Sequence, residues 1–220
     1  FDDPWTRRNA AYALGRVEAL AAGRADTIRA VLNGEAPDDP AAMHLIRALG
    51  TAGDSTAAVR IAEWLRTAPD WRTRVEAAHA LSSLPIADAP RSALVSALDD
   101  SQALVARTAA ETLAGLDWSS DRISAIGAWL DAHPDHWRVA APLLQGLARN
   151  DRPKRVLSAV AGWRTERSPV AYAAALSALA PLDASRADSL LDAARRSDDV
   201  RIAAAAVQAV TARWERTRPE

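Results

Sequence analysis

The chain contains no cysteine. Disulfide frameworks, Cys-ligated zinc and thiol nucleophiles are therefore excluded. Lysine is almost missing as well: of 27 basic residues, 26 are Arg and one is Lys154. Phe and Met occur once each and Tyr twice. No stretch approaches the roughly 20 consecutive apolar residues of a membrane-spanning helix, so no membrane insertion is expected. Neither sign of charge dominates, 27 basic against 28 acidic residues giving a formal net charge of −1. That balance argues against general attraction to nucleic acid but leaves room for a local basic patch. Enzyme signatures are lacking too. There is no Gly-rich phosphate loop, no Gly-x-Ser-x-Gly elbow and no His-Glu-x-x-His. No catalytic residue, metal ligand or cofactor is expected.

Two residue types stand out among the 220: 53 are Ala, and eight of the eleven aromatics are Trp. Ala has the highest helix propensity and adds little volume. A chain so rich in it is helical, with helices that approach closely across many thin interfaces rather than around one bulky core.

Those helices recur. Asp3–Val17, Asp39–Gly53, Asp70–Leu84, Asp100–Leu116, Asp135–Asn150, Ser168–Leu182 and Asp199–Arg213 each open on Asp or Ser and close on an apolar anchor. The anchors Leu14, Leu49, Leu81, Leu113, Leu147, Leu179 and Val210 are 35, 32, 32, 34, 32 and 31 residues apart. This period is that of a two-helix unit stacked into a solenoid. An opening carboxylate accepts hydrogen bonds from the free N–H groups of a helix start and meets the positive end of its dipole. Asp3-Pro4 and Asp39-Pro40 add Pro at the first helical position, where no N–H is needed. First helices of each pair are expected over about 24–33, 54–67, 89–98, 119–132, 152–165 and 184–196, from apolar residues at i, i+3, i+4 and i+7. Gly and Pro, including Pro37, punctuate the gaps, and Pro142 and Pro181 fall inside or near the ends of helices. No strand alternation is present.

The stretch from Asp70 to Leu81, Asp-Trp-Arg-Thr-Arg-Val-Glu-Ala-Ala-His-Ala-Leu, and the stretch from Asp199 to Ala204 resemble the second helix of HEAT repeats, Asp-x-x-Val-Arg-x-x-Ala-Ala-x-Ala-Leu. Arg107 to Leu113 is a looser copy. The resemblance covers essentially the whole chain and implies an all-α fold, a right-handed alpha-alpha superhelix of about six to seven two-helix repeats forming one domain over 1–220. The Asp39 and Ser168 copies lack the Val-Arg pair, which interrupts any continuous Asp–Arg ladder. Asp70–Leu116 also resembles HEAT regions fused to cyclophilin-type peptidyl-prolyl isomerases in bacteria. By that resemblance the chain, which starts at Phe1, is a fragment of a larger bacterial protein and holds no isomerase domain.

Trp64, Trp129 and Trp163 lie near the ends of first helices, where core packing is expected. Trp5, Trp71 and Trp137 instead sit one or two residues past the openings Asp3, Asp70 and Asp135, spaced by 66 and 66 residues. They should line one edge, each beside Arg: Arg7 and Arg8, Arg72 and Arg74, Arg138. Trp and Arg are enriched in interface hot spots, so Trp5, Arg8, Trp71, Arg72, Arg74, Arg107, Trp137 and Arg138 form the candidate partner-binding set. The competing role is structural, each Trp covering a seam between repeats and stacking on an Arg.

Second helices carry Arg7, Arg8, Arg16, Arg47, Arg72, Arg74, Arg107, Arg138, Arg149, Arg201 and Arg213 against mainly Glu18, Glu76 and Glu111. The resemblance implies that these helices line a concave, mildly basic groove, unless the Arg residues pair with opening Asp residues of adjacent repeats. His133-Pro134-Asp135-His136 reads as a turn rather than a metal site, and His44 and His79 as surface or packing residues. The expected function is a non-catalytic scaffold holding a protein or peptide on its concave face. The alternative is a nucleic-acid-binding HEAT-like protein using the Arg groove. The polar ending with Trp214, Arg216, Arg218 and Glu220 is expected to fray.

Overall fold

Carboxylates and hydroxyls start the helices as their spacing predicts. In the computed structural model Asp3 accepts from Thr6 N, Asp70 from Arg72 N, Asp199 from Arg201 N and Ser168 from Ala171 N. Asp39 and Asp100 accept from Ala41 N and Gln102 N. The helices that follow Asp39 and Asp135 have Ala41 and His136 as cap residues, and neither of those side chains makes a capping bond. The structure describes residues 3–17, 21–35, 39–150, 152–166, 168–182 and 185–217. Glu18, Pro37, Arg218 and Glu220 lie outside them.

Within these residues the protein is all-helical, with thirteen α-helices and no strand. They are α1 (Pro4–Leu14), α2 (Ala25–Gly34), α3 (Ala42–Thr51), α4 (Ala58–Thr67), α5 (Trp71–Ser82), α6 (Asp88–Ser96), α7 (Ala103–Ala114), α8 (Ser120–Ala132), α9 (Trp137–Arg149), α10 (Pro153–Glu166), α11 (Pro169–Leu176), α12 (Ser185–Arg195) and α13 (Val200–Thr217). Short 3-10 turns, Ser55–Ala57, Ala97–Asp99 and Ser177–Leu179, precede α4 and follow α6 and α11. The first helices thus fall within a residue or two of their expected ranges, once these turns are counted. One stop is a Schellman closure: Gly53, at φ 68°, ends α3, and Asp54 N donates back to Leu49 O at 3.1 Å. Glycine is needed there because a Cβ disfavours positive φ.

The chain divides into two compact units, one ending at Leu113 and one beginning at Ala114. In the first, α1, α3 and α5 pack side by side, α2 lies on α3, and α4 packs on both α5 and α6. Thr112 Oγ1 on α7 donates to Ala78 O on α5 at 3.0 Å. The α3–α5 contact is close enough that a Cβ on Gly50 would lie 2.9 Å from Ala80 Cα and Cβ. In the second unit α9, α11 and α13 form the row, with α8 and α10 on α9 and α12 on α13. Pro142 sits inside α9, buried.

Five of the seven anchors are buried: Leu49, Leu81, Leu113, Leu147 and Leu179. Leu14 is half-buried. Val210 is exposed, because α13 turns Ala206 and Ala209 inward instead. Val200, Val207 and Trp214 on the same helix are exposed as well. Trp64 and Trp129 are buried, as expected. Trp163 is only half-buried and looks into a cleft. Trp118 is a core residue that the periodicity did not single out. Its indole covers Gly146, where a Cβ would come within 2.3 Å of Trp118 Cζ2, and the Trp118 backbone N–H donates to Asn150 Oδ1 at 2.8 Å.

Candidate functional site

The second-helix Arg residues sort themselves by what they touch. Arg7 reaches from α1 to Asp39, the carboxylate at the start of the next second helix. Arg74 does the same from α5, donating Nε to Asp100 Oδ2 at 2.7 Å and Nη2 to Oδ1 at 2.9 Å, with Nη1 on the Ala68 carbonyl at 2.8 Å. Side-chain exposures of 14% for Arg74 and 11% for Asp100 make this the most enclosed of the ion pairs described. Burial pushes the Asp100 carboxyl up, yet the Arg74 guanidinium and the Gln102 N–H outweigh it and hold the group below the usual carboxylate range. Arg47 forks onto Glu76. Arg201 lies on Asp199, whose pKa is lowered to about 2 chiefly by that guanidinium. Arg213 pairs with Asp188, and Arg149 donates to the Ala114 carbonyl.

Arg107 pairs along its own helix with Glu111 at 2.7 Å. It stands two residues before the Ala109-Ala110 pair, whereas Arg74 stands three before Ala77-Ala78. One residue is about 100° of helix rotation, which points Arg107 out where Arg74 points along the row.

Arg8, Arg16 and Arg138 make no ion pair among the described residues, and each lies over an aromatic ring. Arg8 Cζ is 5.4 Å from the Trp5 ring centre, Arg16 5.7 Å from Tyr12 and Arg138 4.4 Å from Trp137. Arg72 lies 4.6 Å over Trp71 and is held loosely by Asp70, at 3.6 Å. The Trp–Arg stacking expected from the sequence is thus present at Trp5, Trp71 and Trp137. Tyr12–Arg16 is a further pair that the Trp spacing could not reveal; its signal was the i, i+4 interval alone.

In the first unit these pairs converge. A cleft of about 370 Å³ is lined by Pro4, Trp5 and Arg8 from α1, Pro40 and Met43 at the start of α3, and Asp70, Arg72 and Thr73 at the start of α5. Its position has a sequence cause. Counting four residues from Asp3 gives Arg7, and from Asp70 gives Arg74, but from Asp39 gives Met43. The Asp–Arg ladder therefore lacks the rung that would reach Asp70. Met43 leaves apolar space there, and Trp5, 67% exposed, walls it. Trp71 does not line this cleft. Trp137 and Arg138 belong to the second unit.

Beneath the Arg8 end lies His44, 5% exposed and meeting the Tyr12 ring edge-on at 5.3 Å. Burial first, then the Arg47 and Arg8 cations, lower its pKa below the usual histidine value. In the second unit His133 stacks on Trp129, ring centres 4.4 Å apart, at the edge of a cleft of about 510 Å³ that Leu130, Leu144, Arg155 and Trp163 also line. Among the described residues no three His, Cys, Asp or Glu side chains gather as a metal site, and no helix is long and apolar enough to cross a membrane.

No protein-family model matches the chain, and no curated protein matches it.

Proposed function

We propose that this chain is a HEAT-like repeat region of a larger bacterial protein, a right-handed superhelix that works without catalysis as an interaction scaffold. Its second-helix faces hold a protein or peptide partner. The observation carrying this reading is the cleft at the missing rung. Across the second helices most guanidiniums are matched to carboxylates, whereas at this edge an exposed Trp, an apolar floor and two weakly engaged Arg side chains come together. Interface hot spots combine these elements, an aromatic anchor, a dry pocket and Arg.

A second reading, a nucleic-acid-binding HEAT-like protein, draws on the same weakly engaged Arg residues stacked on aromatic rings, since bases stack on such surfaces. The two separate by experiment. A random peptide library displayed on phage, selected against the full chain, should enrich binders that Trp5→Ala, Trp71→Ala or Trp137→Ala weakens without changing the circular dichroism spectrum. Absence of any enriched peptide, together with retention on immobilised DNA that falls steeply with salt, would reverse the order of the two readings.

A further inference from the structure

We infer that the cleft between α1, α3 and α5 recognises an extended acidic peptide segment in which a carboxylate side chain flanks an aliphatic one; this rests on the scaffold reading above. The cleft carries two guanidiniums, Arg8 and Arg72, against one carboxylate, Asp70. Arg8 makes no ion pair among the described residues, and Arg72 holds Asp70 only at 3.6 Å. Both cations are pre-positioned by stacking on indoles, Arg8 on Trp5 and Arg72 on Trp71, so little side-chain freedom is lost when an anion arrives. A carboxylate offers the planar, two-oxygen acceptor that a guanidinium fork matches.

The floor specifies the second half of the motif. Pro4, Pro40 and Met43 present apolar surface with no hydrogen-bonding side-chain group, and Thr73 is buried. A thioether adapts to branched aliphatic shapes. With Arg8 and Arg72 set against Asp70, the cleft carries two cations and one anion, which suits carboxylates spaced by apolar side chains better than the unbroken charge of a phosphate backbone and sets peptide above nucleic acid here. Three consecutive second helices contribute to the walls, so an extended segment lying across them touches every part of the site.

The test uses the full chain and fluorescein-labelled decapeptides read by anisotropy. Alternating Asp and Leu should bind; alternating Lys and Leu, and alternating Asp and Ser, should each bind at least about tenfold more weakly. Arg8→Gln and Trp5→Ala, both at exposed or half-exposed positions, should each weaken the Asp–Leu peptide at least about fivefold with an unchanged urea midpoint. Equal binding of the Lys–Leu peptide, equal binding of the Asp–Ser peptide, or tight binding of a twenty-nucleotide oligothymidine in place of the Asp–Leu peptide would overturn the inference. Display-selected peptides whose binding depends on Trp137 and Arg138 but ignores Trp5 and Arg8 would overturn it while leaving the scaffold reading intact.

Discussion

Gly50→Ala should destabilise this protein, although replacing a helical glycine with alanine ordinarily does the opposite. The intrinsic preference of a helix for Ala over Gly is about 1 kcal/mol. At Gly50 that gain meets a wall. The added Cβ would stand 2.9 Å from both Ala80 Cα and Ala80 Cβ, against a comfortable carbon–carbon separation of about 3.5–4.0 Å. The obstructing atoms belong to the backbone and first side-chain carbon of α5, so no rotamer can relieve them; α5 must move away from α3. Overpacking of this kind costs about 1–3 kcal/mol, and backbone involvement places it at the upper end. The net expectation is a loss of about 2 kcal/mol. Gly34→Ala supplies the control, because nothing lies within 4 Å of a Cβ there; it should be neutral or stabilise by up to about 1 kcal/mol. Urea unfolding followed by far-ultraviolet circular dichroism reads both. A Gly50→Ala midpoint equal to or above the parent's would refute the close approach of α3 and α5.

Two further outcomes follow from the Arg pairs and the buried imidazole. Arg74→Ala strips an enclosed carboxylate of its cation and should cost about 3 kcal/mol, while Arg107→Ala, on an exposed intrahelical pair, should change the urea midpoint by less than about 0.5 kcal/mol equivalent; similar losses at both sites would contradict the geometry. His44 is held neutral in the folded chain, so the unfolded state binds a proton first as pH falls. Stability should be full above about pH 6.5 and decline as pH drops from there toward the lowered folded value. His44→Leu should flatten that part of the stability profile relative to the parent, and an unchanged slope would mean that another group carries it.

Helix positions were legible because their causes are local. Asp70, Asp199 and Ser168 cap whatever follows them, and an anchor such as Leu81 needs only the 3.6-residue turn to reach the core. The fates of the Arg residues were less so. Arg74 and Arg107 stand in similar words of sequence, and a one-residue offset sends one along the row and the other to solvent. The cleft was half visible: the missing Arg at Met43 could be read, but not the convergence of Pro4, Arg8 and Arg72 around the gap, which depends on how α1, α3 and α5 lie together. Trp118 over Gly146 is a contact between distant stretches, with no periodic signal. Val210 has the anchor's place in the repeat but sits on a helix that turns its alanines inward.

The carboxylates of Asp39 and Asp100 each serve two masters, an amide just ahead of their own helix and a guanidinium two helices back. That makes the coupling between these helices vectorial. When α1 melts, Asp39 loses its cation and the start of α3 loosens; when α3 melts, the Arg7 side chain, 36% exposed, can simply rehydrate. Fraying is therefore relayed more readily toward higher residue numbers than lower ones. Met43, standing in place of the Arg that would reach Asp70, breaks the relay at the start of α5, and the Arg47–Glu76 fork joins α3 to α5 only further along; amide protons at that start should be insulated from breathing of α1 in a way that those at the start of α3 are not.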